Sequence, residues 1–93
     1  MNTFLVVDTV RLNSTNRFVL TGAIREGLVV AGMQAIHPQS NPDFGLEIMK
    51  VELVDKSSGI EPHCLAVLLR LDDVVESGLD KPELWIGKEI QCL

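Results

Sequence analysis

Short apolar runs, each broken after a few positions by turn-forming residues, constrain this chain more than any other feature. A strand points successive side chains to opposite faces, so a period of two marks one buried and one wet face. Residues 3–12 follow it loosely: Phe4, Val6, Val10 and Leu12 share a phase, Asp8 is the exception, and Leu5 and Val7 fall on the other face. The cluster Asn13-Ser14-Thr15-Asn16 reads as a turn and residues 18–24 as a second strand, which together predict an antiparallel hairpin. Gly22, inside that second run, predicts a bulge or a sharp bend at a barrel corner.

Gly27 and Gly32 bracket a short extended piece at 28–31, and a third strand is expected over 33–37. The segment 38–45 carries two prolines and an Asn-Pro step, which exclude a regular element. The next run alternates most clearly. Met49, Val51 and Leu53 are assigned to a buried face, with Lys50 and Glu52 outside. Residues 56–59 close it as a turn. Residues 64–71 are almost continuously apolar, which predicts a strand buried on both faces. A helical turn is expected near 72–79, capped by Asp72 or Asp73 and ended by Gly78. Lys81-Pro82 breaks the chain, and 84–93 is read as the last strand, with Ile86, Ile90 and Cys92 in one phase.

Short strands with turns every few residues define an all-β class, a small closed six-stranded antiparallel β-barrel in one domain, 1–93. Closure removes the sheet edges that invite aggregation. Ninety-three residues suffice for one core.

The ordered motifs resemble the second domain of elongation factor Tu and related translational GTPases. Asp8-Thr9-Val10 stands where that family has Asp-Val-Phe, and residues 19–27 are close to its Val-x-Thr-Gly-x-Ile-x-x-Gly. Val30-Ala31-Gly32-Met33 stands where Lys-Val-Gly-Asp is common. Val51-Glu52, Val67-Leu68-Leu69-Arg70 and Ile86-Gly87-Lys88-Glu89-Ile90 follow in the family's order. The resemblance spans roughly Phe4 to Ile90 and implies a barrel of the translation-protein type. The chain departs from the family at Ala23, Met33 and Leu71, in a longer first hairpin and in an apparent insertion at 79–83. It has no GxxxxGK[ST] motif and hence no phosphate cradle. In the family this barrel meets the GTPase domain, the ribosome or the acceptor end of tRNA. A fold alone does not carry such contacts over.

No residue pattern pairs a nucleophile with a base. His37 and His63 lie far apart, each beside a proline. Cys64 and Cys92 are isolated and read as reduced thiols of a cytoplasmic protein; a disulfide between them is the less favoured alternative. Ser57-Ser58-Gly59 is a turn, and adjacent Asp72 and Asp73 suit a helix start better than a cation site. No cofactor, metal or catalytic residue is assigned. The Phe4–Val7 run is too short for a secretory core, and no apolar stretch reaches the length of a membrane span.

With a net charge of −5 and eight scattered basic residues, naked nucleic acid is a poor default partner. The expected function is therefore a non-catalytic module that binds a protein, including a second copy of itself as a homo-oligomer. The alternative, which follows from the resemblance, is an accessory factor of translation that binds tRNA or the ribosome. Candidate partner-binding residues are Arg17, Arg25, Arg70 and Trp85. The arginines sit on or beside strands. Trp85 either fills the barrel mouth, the more common role for a lone Trp near a chain end, or anchors a partner.

Overall fold

The structure is a computed structural model that describes residues 1–39, 45–53 and 65–93. Strands β1 (Asn2–Leu12), β2 (Arg17–Glu26), β3 (Gln34–Ile36), β4 (Leu46–Leu53), β5 (Leu65–Arg70) and β6 (Glu89–Cys92) close into a barrel in the order β1-β2-β5-β4-β3-β6. Every neighbouring pair is antiparallel. A short helix α1 (Leu71–Glu76) and a 3-10 turn (Pro82–Leu84) lie between β5 and β6. The expected turn at 56–59, His63 and Cys64 lie outside the described residues, as does most of the 38–45 loop. Among the described residues, no helix is long and apolar enough to cross a membrane.

The interior is aliphatic apart from the four buried rings of Phe4, Phe18, Trp85 and His37. Phe4, Val6, Leu20, Ile48, Val67, Leu69 and Ile90 are fully buried. Phe18 and Trp85 stack at 5.9 Å, tilted by 48°. Burial of such side chains contributes roughly 1.5–3 kcal/mol each before conformational entropy is counted.

β1 corrects the first phase assignment. Val6 faces Gly22 but Asp8 faces Thr21, so Val7 is an extra residue, a β-bulge. A bulge of one residue reverses which face each later side chain takes. Thr9 is now opposite buried Leu20, while Val10 and Leu12 are 43% and 40% exposed. Asp8, the misfit in the alternation, marked the place where the phase breaks. Gly22 sits across from this bulge, as its position suggested. A Cβ there would collide with the Leu5 carbonyl oxygen.

β4 holds a second bulge. Ile48 faces Leu69 and Lys50 faces Leu68, so Met49 is the extra residue. Ile48, not Met49, fills the core. Val51 follows the inward phase opposite Val67, whereas Leu53 at the strand end is 76% exposed. The apolar pattern thus named the right strand but misassigned the buried face on the N-terminal side of the bulge.

The short piece at 28–31 lies outside the strands, with Val29 buried between exposed Leu28 and Val30. The last strand is shorter than the expected 84–93, only Glu89–Cys92. Pro82 opens a 3-10 turn, Gly87 takes φ 81°, and Ile86 is 43% exposed. These two residues turn the chain before Ile90 and Cys92 enter the core.

Helix α1 forms where a helical turn was expected, and Gly78 follows it at φ 77°. Its cap differs. Neither Asp72 nor Asp73 caps it. Asn16 of the first hairpin does: its Oδ1 accepts the Asp72 N–H at 3.0 Å, and its carbonyl accepts the Leu71 N–H at 3.0 Å. Asn16 can do this because it adopts φ 55°, a left-handed conformation that Asn tolerates better than other side-chain-bearing residues.

Candidate interaction surface

The bulge at Val7 decides what the outside of the barrel presents. Register partners share a face, so the ladders define rows on the outer wall of β1, β2, β5 and β4. One row runs Leu12, Arg17, Arg70. The next runs Val10, Val19, Leu68 and Lys50. The third runs Asp8, Thr21, Ala66 and Glu52. A basic row and an acidic row therefore flank an apolar one.

Arg17 and Arg70 are direct partners across β2 and β5. Like charges in this relation oppose folding slightly, so barrel stability does not explain the pair. Arg17 Nη1 donates to the carbonyls of Asn16 (3.2 Å) and Thr15 (3.4 Å). Among the described residues it has no carboxylate at ion-pair distance. Arg70 approaches Asp73 at 3.6 Å and Met49 Sδ at 3.5 Å. The Asp73 pair is long and exposed, a kind worth well under 1 kcal/mol or so. At the acidic end, Asp8 accepts the N–H of Thr9, and Glu52 pairs with Lys50 at 2.8 Å.

The other two candidate residues do not join this wall. Arg25 is exposed and is the unpaired residue of a bulge in the β1–β2 ladder. It lies at the far end of β2 from Arg17, about 26 Å away at strand rise. Trp85 is fully buried, so it offers no surface to a partner. It takes the packing role: its Nε1–H donates to the Leu79 carbonyl at 2.5 Å, and the His37 ring meets it edge-on at 4.7 Å. Arg11 is at the same barrel end as Arg17 but is bound to Asp80 at 3.2 Å and to Asn13.

His37, beside Pro38 after β3, is a structural clip. It is 1% exposed. Nδ1 accepts the Gln39 N–H at 3.0 Å, which leaves Nε2–H to donate to the Leu84 carbonyl at 2.5 Å. With both ring nitrogens hydrogen-bonded within the chain, neither is free to bind a metal. Cys92 is buried, and desolvation pushes its thiol up to about 11, away from nucleophilic character. Among the described residues no three His, Cys, Asp or Glu side chains gather to hold a metal ion. A shallow outer groove of about 360 Å³ is lined by Thr3, Ile36, Pro38, Glu89 and Gln91, among others. The buried Thr3 hydroxyl has no hydrogen-bond partner.

Sequence reasoning named both arginines of the wall. It missed Val10, which it assigned to the core, and Asp8, which it treated as an exception. The signal was present: one polar residue inside an alternating run, and a glycine inside the following strand. No family model, curated protein or solved structure matches the chain.

Proposed function

We propose that this chain is a non-catalytic interaction module that recognises a protein through the outer wall of β1, β2 and β5. One observation carries the reading. Arg17 and Arg70 stand side by side next to exposed Val10 and partly exposed Leu68, with Val19 buried between them, and barrel packing does not require the paired arginines. Arginine beside apolar surface is the composition favoured where proteins meet. The net charge of −5 favours a protein over a phosphate backbone.

The test is comparative affinity capture from native cells with wild type, Arg17→Glu/Arg70→Glu and Arg25→Glu. A protein held by wild type and Arg25→Glu, and released by the double variant, supports the reading. Capture that ignores the double variant refutes it. Salt-sensitive retention of tRNA or ribosomes in its place would support the translation-type role instead.

A further inference from the structure

Strand β1 outruns its neighbour on one side. It continues to Leu12, but β6 accompanies it only over Asn2–Leu5, and the last main-chain bonds on that side join Val6 to Gly87 and Lys88. From Asp8 to Leu12 the one strand beside it among the described residues is β2. The bulge also turns the backbone. Main-chain groups alternate sides along an antiparallel strand, and Val6 points its own away from β2. With Val7 inserted, Asp8, Val10 and Leu12 point theirs to β2, and Thr9 and Arg11 point theirs to the open side. The Thr9 N–H agrees: its acceptor, at 2.8 Å, is the exposed Asp8 carboxylate and not β2. Among the described residues, no main-chain group meets Thr9 or Arg11 on that side. Val7, Val10 and Leu12 are exposed along the same stretch. Open main-chain groups flanked by exposed apolar side chains form a template for another strand.

We propose that a second copy of this chain adds its own β1 to this edge, antiparallel, about a two-fold axis at Val10. The proposal rests on the interaction-module reading and names its partner. Backbone direction sets the register. Centring on Val10 places Thr9 against the second copy's Arg11, so every open N–H and C=O of these two residues finds a partner, and symmetry makes each contact twice. Centring on Arg11 would set two arginines face to face. On the outer face, Val10 then lies beside its own copy and Asp8 lies opposite the second copy's Leu12. Asp8 of one copy thus extends the row Leu12, Arg17, Arg70 of the other. Charge complementarity selects this occupant over another extended segment. Arg17 has no carboxylate at ion-pair distance among the described residues, and Asp8 has no basic group. Once the Thr9 N–H turns to the second copy, the Asp8 carboxylate is released toward that copy's Arg17. Two strand spacings, roughly 10 Å, separate their main chains, which the two side chains span by reaching toward each other across Leu12. So short a contact lies well below the roughly 800 Å² per partner of a standard interface, so the dimer is weak, reversible and loosened by salt.

Sedimentation velocity on the full chain at low salt, from about 10 μM to about 1 mM, covers the range expected for so small an interface. Wild type should move from a 10.2 kDa species toward twice that mass as concentration rises. Thr9→Pro deletes an N–H that the ladder to β2 does not use, and an edge strand accepts proline on its open side. This variant should keep the wild-type circular dichroism and stay monomeric. Asp8→Lys sets like charges against Arg17, and Arg17→Glu sets like charges against Asp8, so each alone should stay monomeric. Mixed in equal amounts, the two should associate, because the mixed pair sets the altered side chains against each other and unaltered Asp8 against unaltered Arg17. The charge variants decide the outcome if Thr9→Pro fails to fold. The proposal is overturned by wild type that remains monomeric throughout, by a dimer that survives a folded Thr9→Pro, or by a mixture that stays monomeric. Monomeric wild type whose captured protein is still lost in Arg17→Glu/Arg70→Glu overturns only the second copy and leaves the module reading standing; loss of that protein in Thr9→Pro as well would give the edge to a foreign strand.

Discussion

Asn16 joins the first hairpin to helix α1, and replacing it separates two contributions. The residue holds φ 55° and lends Oδ1 to the Asp72 N–H at 3.0 Å. Its Nδ2 adds a contact to Asp72 Oδ2 at 3.2 Å, exposed and weak. Asn16→Gly keeps the left-handed backbone and frees it of a Cβ but deletes the cap, and a cap replaced by glycine costs a few tenths of a kcal/mol, so a loss of about 0.5 kcal/mol is expected. Asn16→Ala deletes the same cap, at about 1 kcal/mol, and keeps a Cβ in the left-handed region without the short polar side chain that eases it there. Asn16→Ala is thus expected to be about 1–2 kcal/mol less stable than wild type, with Asn16→Gly between them. Urea denaturation followed by the fluorescence of Trp85 measures both, because that ring is buried beyond α1. For a domain of this size each kcal/mol is also about 4–8 °C in Tm. An alanine variant as stable as the glycine variant would refute the backbone argument. Both variants within about 0.3 kcal/mol of wild type would refute the cap as well.

Other expectations follow from single contacts. Cys92 has a thiol raised from 9.0 to about 11 by burial, so its neutral form is favoured in the folded state. The stability it supports is complete below pH 9 and declines between 9 and about 11, by about 1.4 kcal/mol per pH unit. Denaturation midpoints compared with Cys92→Ala should show that slope in wild type only. Trp85→Phe leaves the Leu79 carbonyl without its donor and opens space beside Phe18, so a loss of about 2–3 kcal/mol is expected in urea titration; an unchanged midpoint would contradict the packing role. Gly22→Ala drives a methyl group into the Leu5 carbonyl and should cost more than about 2 kcal/mol or prevent soluble expression, read by soluble yield and melting.

The barrel was legible because strand signals are local. Alternation, turn clusters and the Gly22 marker each depend on a few adjacent residues. The hairpin of β1 and β2, the buried run of β5 and the helical turn after it all appear where those signals stand. What the sequence concealed was phase. A bulge adds one residue to one strand only, and nothing in β1 alone shows whether Asp8 is tolerated on the inner face or marks a break. The register with β2 answers that, and register is a property of two strands. The same reasoning covers β4, where Met49 is as apolar as a core residue but is the one squeezed out of the ladder.

The site follows this division. Arg17 and Arg70 could be named as surface cations, but their adjacency depends on which residues of β2 and β5 face one another. Trp85 could be named as a packing residue or an anchor, and burial at the barrel end decides for packing. The cap from Asn16 was invisible for a related reason. It spans 56 positions of chain, whereas helix-start signals are sought within a few residues.

Everything proposed for the outer wall depends on the reversal of β1 at Val7. Methyl NMR with a soluble paramagnetic probe tests it directly. The methyl groups of Val10 and Leu12 should be strongly relaxed and those of Val6 protected, with cross-strand contacts pairing Thr9 with Leu20. Protected Val10 and Leu12 methyls in contact with Phe18 and Leu20 would place them inside the barrel, and the wall would lose its apolar row.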